Sequence, residues 1–132
     1  MPEFGNSILV DQGFKNISEE EKVEAFQLRV RISYYRGIAL SLHDGFEITV
    51  DEETFTNEVI SFSLDNKTYI NCNDFGNYPE LRWEYGDKAY LRVQKVGGLS
   101  RGLHKVKVMQ KIAVPYLPFS TAFFQEKDLT IV

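Results

Sequence analysis

The chain has 132 residues with a formal net charge of -4, and 43% of its residues are hydrophobic, 26% charged and 14% aromatic. That length fits one domain able to bury roughly two-thirds of its unfolded surface, and the composition excludes disorder, collagen and coiled coil. Fifteen Lys and Arg against nineteen Asp and Glu disfavour nonspecific binding to phosphate polyanions, so nucleic acid is not the expected partner.

In chain order, short strands are expected near Ile8 to Val10 and Phe14 to Ile17. A clear one follows from Phe26 to Ser33, where Phe26, Leu28, Val30 and Ile32 share one face and Gln27, Arg29, Arg31 and Ser33 the other. The period of two recurs at Phe46, Ile48 and Val50 and stops at the acidic run Asp51-Glu52-Glu53, read as a turn. Val59 to Leu64 is a further strand, and Asp65-Asn66 turns it into a hairpin mate at Lys67 to Ile70. Leu81 to Tyr85 and Ala89 to Val93 flank Gly86-Asp87-Lys88 and are read as a second hairpin. Val106, Val108, Gln110, Ile112 and Val114 then alternate with Lys105, Lys107, Met109, Lys111 and Ala113, a long strand with a basic outward face that ends before Pro115. Leu129 to Val132 adds a small terminal strand. No segment holds a helical period over ten residues.

Such short strands, separated by Gly, Asn and Asp turns, predict an all-β fold: an antiparallel β-sandwich with immunoglobulin-like or jelly-roll connections. Residues 1–132 are expected to form a single domain with a short N-terminal extension and an extended aromatic C-terminal segment at about 115–132. No apolar run approaches the roughly 20 residues of a membrane helix. Met1-Pro2-Glu3-Phe4-Gly5-Asn6 has neither a basic n-region nor an apolar h-region, and the lone Cys72 forms no internal disulfide; both fit a cytoplasmic protein.

Few residues carry chemistry. His43 and His104 are sixty-one positions apart by their numbering, outside any metal-ligand spacing. His104 is expected to bond a loop carbonyl, and Cys72, which has no histidine near it in sequence, to be a buried thiol. The glycine-rich stretch from Gly97 to Gly102 precedes a strand, so it is a connection between sheets with positive-φ glycines and not a phosphate loop. Arg29, Arg31, Lys105, Lys107 and Lys111 make basic outward faces, ordinarily solvated and alternatively complementary to an acidic partner.

Two segments point to an interface. Tyr34, Tyr35 and Arg36 stand where the clearest strand leaves the sheet, and aromatic faces with a guanidinium suit a protein surface or a sugar. Alternatively, one of these tyrosines closes the core. Tyr116, Phe119, Phe123 and Phe124 follow the long strand between and after two prolines, an apolar stretch that either folds over an open end of the sandwich or docks on another protein. These seven residues are the candidate interface set; no catalytic or metal-ligating residue is assigned.

The run Val23 to Ser41 (VEAFQLRVRISYYRGIALS), then Arg82-Trp83-Glu84-Tyr85-Gly86, then Gly97 to His104 (GGLSRGLH) resembles the small β subunit of bacterial C-glycoside deglycosidases, with similarity over most of residues 8–119. The resemblance implies a β-sandwich accessory subunit of a hetero-oligomer. In such a complex a TIM-barrel α subunit holds a divalent metal, Mn2+, and the acid-base residues, and this chain holds no cofactor. The reaction implied is cleavage of the C–C bond of a 3-oxo-C-glycoside by β-elimination, with flavonoid C-glucosides in the substrate class. A stand-alone carbohydrate-binding or scaffold sandwich, with Trp83 and Tyr85 as a sugar platform, is the alternative reading of the residues.

Overall fold

A computed structural model describes residues 8–32, 37–113 and 120–132. Eleven antiparallel strands are found among them: β1 (Lys15–Glu19), β2 (Lys22–Val30), β3 (Ile38–Ala39), β4 (His43–Val50), β5 (Glu53–Phe55), β6 (Ile60–Ser63), β7 (Ile70–Asn71), β8 (Arg82–Trp83), β9 (Ala89–Gln94), β10 (Gly102–Ala113) and β11 (Ser120–Ile131). One sheet has the order β1-β2-β9-β6-β7, the other β11-β10-β4-β5, and β3 pairs with β8 in a small third sheet. Helix is confined to short 3₁₀ turns.

The two large sheets pack through the residues whose alternation marked the strands. Phe26, Leu28 and Val30 of β2, Phe46, Ile48 and Val50 of β4, and Val106, Val108 and Ile112 of β10 are all buried in one core. Aromatic edges join the layers: the Phe26 and Phe55 rings lie 5.4 Å apart, and those of Phe62 and Trp83 5.1 Å apart. Burying side chains of this size is the main favourable term in folding, about 1.5–3 kcal/mol each. The antiparallel β-sandwich expected from the sequence is therefore the fold observed.

Turns form where short polar residues can bond the backbone. Asp65 Oδ1 accepts from the backbone N–H groups of Lys67 and Thr68, both at 2.9 Å, and closes the β6–β7 hairpin. Asp51 and Glu52 take positive φ between β4 and β5. The connection from β9 to β10 crosses between the sheets as expected. Within it Gly98 has a φ of +63°, and a Cβ there would come within 2.6 Å of Val23; only glycine fits both the conformation and the close approach.

Two expectations are corrected. Leu81 to Tyr85 does not form a hairpin with Ala89 to Val93. Instead β8 pairs with β3, Ile38 opposite Trp83, while β9 lies between β2 and β6. A period of two identifies a strand but not its neighbour, and in this pairing Trp83 is fully buried. The chain from Ser120 onward is not an extended tail closed by a small strand at Leu129 to Val132. It is a twelve-residue strand paired in unbroken register with β10, from Ala113↔Ser120 to Gly102↔Ile131. Its period was obscured because Phe123 and Phe124 are adjacent and point to opposite faces, and because the inward positions include the polar Gln125 and Lys127.

Candidate functional site

Of the seven candidate interface residues, Tyr34, Tyr35, Arg36, Tyr116 and Phe119 lie outside the described residues. The described residues that flank those segments are tied to each other: Gln110 Nε2 on β10 donates to the Arg31 carbonyl at 2.9 Å. The departures of the chain at Ile32 and Ala113 are thus each within three residues of one hydrogen bond. Phe123 is half-buried and packs against the core, whereas Phe124 is 59% exposed, with Lys107 Nζ 5.3 Å from its ring centre. Adjacent residues of a strand face opposite ways, so only Phe124 of this pair is presented outward.

Behind that bond lies a buried polar relay. The backbone N–H of Gly45 donates to His43 Nδ1 at 2.9 Å, which leaves Nε2 protonated and facing Gln110 Oε1 at 3.2 Å. Gln110 then passes the chain to Arg31. The His43 ring packs against Phe46, Phe75 and Trp83, and burial lowers its pKa to about 4, outweighing the Gln110 bond and the Asp44 charge, which raise it. His43 is a neutral structural histidine.

His104 joins three other segments. Nε2 donates to the Ser100 carbonyl at 2.7 Å, the loop carbonyl expected from the sequence, and Nδ1 meets Asp51 Oδ2 at 2.5 Å. Asp51 Oδ1 also accepts from the Lys105 backbone N–H. Burial pulls the His104 pKa down, but the Ser100 and Asp51 acceptors together leave it raised. The Asp51 pKa is lowered, first by the Lys105 N–H and then by His104. Cys72 is buried, and desolvation pushes its thiol far above the normal range, which makes it inert as a nucleophile.

The sugar-platform reading is corrected at Trp83. Its side chain is fully buried and its Nε1 donates to the Asp87 carbonyl at 3.0 Å, so it offers no face to a ligand. Tyr85 is 60% exposed. Among the described residues no group of three or more His, Cys, Asp or Glu could hold a metal ion. Nor does any described helix have the length and apolarity to cross a membrane.

The basic faces divide into two kinds. Across β10 and β11, Lys105 stands opposite Asp128 and Lys107 opposite Glu126, so this face mixes charges of both signs, while Lys111 stands opposite Ala122. On the outer face of the five-stranded sheet, the Arg29 guanidinium lies over the Tyr90 ring at 3.9 Å and that of Arg92 over Tyr69 at 4.3 Å. Arg92, Tyr69 and Tyr90 were not singled out from the sequence. The available signal was the alternation of β9, with Ala89, Leu91 and Val93 inward and Tyr90, Arg92 and Gln94 outward.

The sequence profile of the C-glycoside deglycosidase beta subunit matches residues 4–116. A relative from Eubacterium cellulosolvens (strain ATCC 43171 / JCM 9499 / 6), named C-glycoside deglycosidase beta subunit, is 28% identical over 112 residues, which cover 84% of this chain and 76% of the relative.

Proposed function

This chain belongs to the C-glycoside deglycosidase beta subunit family, and from that premise we propose that it is the accessory subunit of a hetero-oligomeric enzyme that cleaves the C–C bond of 3-oxo-C-glycosides. Family membership carries the proposal. The geometry agrees with it in chemistry: among the described residues both histidines are held by protein partners, the thiol is inert, and one outer face carries stacked aromatic and guanidinium groups. In this reading, as the family resemblance implies, a TIM-barrel α subunit holds the divalent metal, Mn2+, and the acid-base groups; among the described residues of this chain no group of three or more His, Cys, Asp or Glu could hold a metal ion.

In the proposed reaction the sugar ketone acidifies the neighbouring C2–H. A base of the partner removes that proton, and the aglycone carbon takes up a proton and leaves by β-elimination. Within the complex, Tyr34, Tyr35, Arg36, Tyr116, Phe119 and Phe124 are the proposed contacts with the partner, and Phe123 anchors β11, the strand of Phe124, to the core. The Gln110 bond to Arg31 supports this assignment because it ties the chain beside one segment to the strand that leads into the other.

Co-expression with a TIM-barrel α subunit of the same family of enzymes, followed by size-exclusion chromatography, tests the proposal. The isolated complex and each chain alone are assayed on a 3-oxo-C-glucoside with and without Mn2+. A stable complex that releases aglycone only with both chains present is the expected result. A chain that stays monomeric and leaves activity unchanged when omitted overturns the proposal.

A further inference from the structure

We infer that the outer face of the five-stranded sheet is a second docking surface, separate from the segments named above, and that it receives a carboxylate-bearing segment of the catalytic partner subunit. The inference rests on the accessory-subunit reading and adds the place and chemistry of one contact.

This face is built unlike that of the opposite sheet. Arg29 of β2 stands in register with Tyr90 of β9 and lies over its ring; Arg92, two residues along, lies over Tyr69 beside β7. Tyr and Arg are the residue types enriched where proteins bury surface against each other, and Lys is depleted there. By contrast, the outer face of β10 and β11 sets Lys105 and Lys107 opposite Asp128 and Glu126 in register. Beside Arg92 an open groove of about 560 Å³ runs over Ile17, Ala25, Val59 and Ser61.

The guanidiniums state the chemistry of the occupant. The Nε atoms of Arg29 and Arg92 are buried and have no hydrogen-bond partner among the described residues. Arg29 already donates a terminal N–H to the Lys88 carbonyl at 2.6 Å, so Arg92, which lines the groove, is the guanidinium that meets the occupant. The Tyr69 ring beneath it holds it in one orientation, and less side-chain entropy is lost when its terminal N–H groups meet a planar acceptor. A carboxylate supplies that acceptor and the opposite charge. The half-buried Ile17 and Val59 offer apolar contact to neighbouring residues of the same segment. Glu19 and Glu24 line the groove toward β1, and Lys95, ion-paired to Glu53, also lines it. The acids keep a second carboxylate away from the β1 side and thereby set the register of the docked segment.

The test measures affinity between the isolated chain and its TIM-barrel partner for wild type, Arg92→Glu, Gln94→Glu and Thr130→Glu, at low and moderate salt. Arg92→Glu is expected to weaken binding at least tenfold and to flatten its salt dependence. Gln94→Glu adds a carboxylate at an exposed position of the groove and removes no stacked pair, so it decides the question if Arg92→Glu does not fold; about fivefold weaker binding is expected. Thr130→Glu, exposed on the opposite sheet, is expected to bind within twofold of wild type. Wild-type affinity in folded Gln94→Glu overturns the inference and leaves the accessory-subunit reading in place, and so does equal weakening by Thr130→Glu. Failure of the wild-type chains to associate overturns both.

Discussion

His43 and His104 respond to pH in opposite directions because their surroundings favour opposite protonation states. Burial lowers the His43 pKa to about 4, so the folded chain binds fewer protons at this site than the unfolded one, whose histidine titrates near 6.5. The His43 contribution therefore falls as pH drops from about 6.5 toward 4. Replacing it with leucine leaves the Gly45 N–H and Gln110 Oε1 without their partner, an expected loss of about 1–3 kcal/mol at neutral pH. Urea unfolding at pH 7 and pH 5 checks this: the wild-type advantage is expected to narrow at pH 5. His104 has its pKa raised, since the Ser100 and Asp51 acceptors outweigh desolvation. Its extra stability is present below about 6.5 and disappears as pH rises through the folded value. Thermal melts of His104→Gln are expected to differ most from wild type at pH 5–6, about where the imidazolium donates to both acceptors, and least above pH 8. In more acid solution the Asp51 partnership is lost in turn, as the pH falls below the ordinary carboxylate range through the lowered folded value and the carboxylate becomes protonated.

At the scale of elements, β11 calls for explanation because a twelve-residue edge strand is a template for pairing with another chain. Two devices protect it. Lys127 shares the inward face of Gln125 and Leu129 and forms an ion pair with Asp11, and an inward charge on an edge strand opposes further pairing. The segment at Leu9, bridged to Val30 of β2, also reaches β11 through the bond from its backbone N–H to Gln125 Oε1 at 2.7 Å. It ties the edges of the two sheets together. Lys127→Val removes the charge and raises β-propensity; concentration-dependent self-association is the expected outcome, read by sedimentation velocity against a wild-type control. The same strand separates the two adjacent phenylalanines by role. Phe123→Ala is expected to lower the stability of the isolated chain by about 1–3 kcal/mol, since it truncates a half-buried core contact. Phe124→Ala is expected to leave the melting temperature unchanged and to weaken assembly with the partner.

The whole molecule is a sandwich with two unlike outer faces. One sets Lys105 opposite Asp128 and Lys107 opposite Glu126 across β10 and β11, and the other carries stacked Arg–Tyr pairs beside a groove. A core rich in Phe, Ile, Leu and Val accounts for folding, while the chemistry-bearing side chains are tied into it: His43 and Gln110 beneath one end, His104 and Asp51 at the β4–β5 turn. In the proposed complex such a molecule holds a surface in place for the catalytic partner. On that basis, omission of this chain is expected to abolish or strongly reduce aglycone release by the assembled enzyme, in the two-chain assay described above.

Binary alternation determined the sandwich class, the faces of β2, β4 and β10, and the turns at Asp51 and Asp65, because strand period and turn chemistry are local properties of neighbouring residues. The family was legible as well, since it is carried by the sequence itself. Only the tertiary structure decided which strands are neighbours: that β8 joins β3 instead of β9, and that Ser120–Ile131 is a full strand whose inward polar residues find partners in Leu9 and Asp11. It likewise decided that Trp83 is buried and that Arg92 meets Tyr69 across strands far apart in sequence. Those outcomes depend on pairing and burial between distant segments, which no local period encodes.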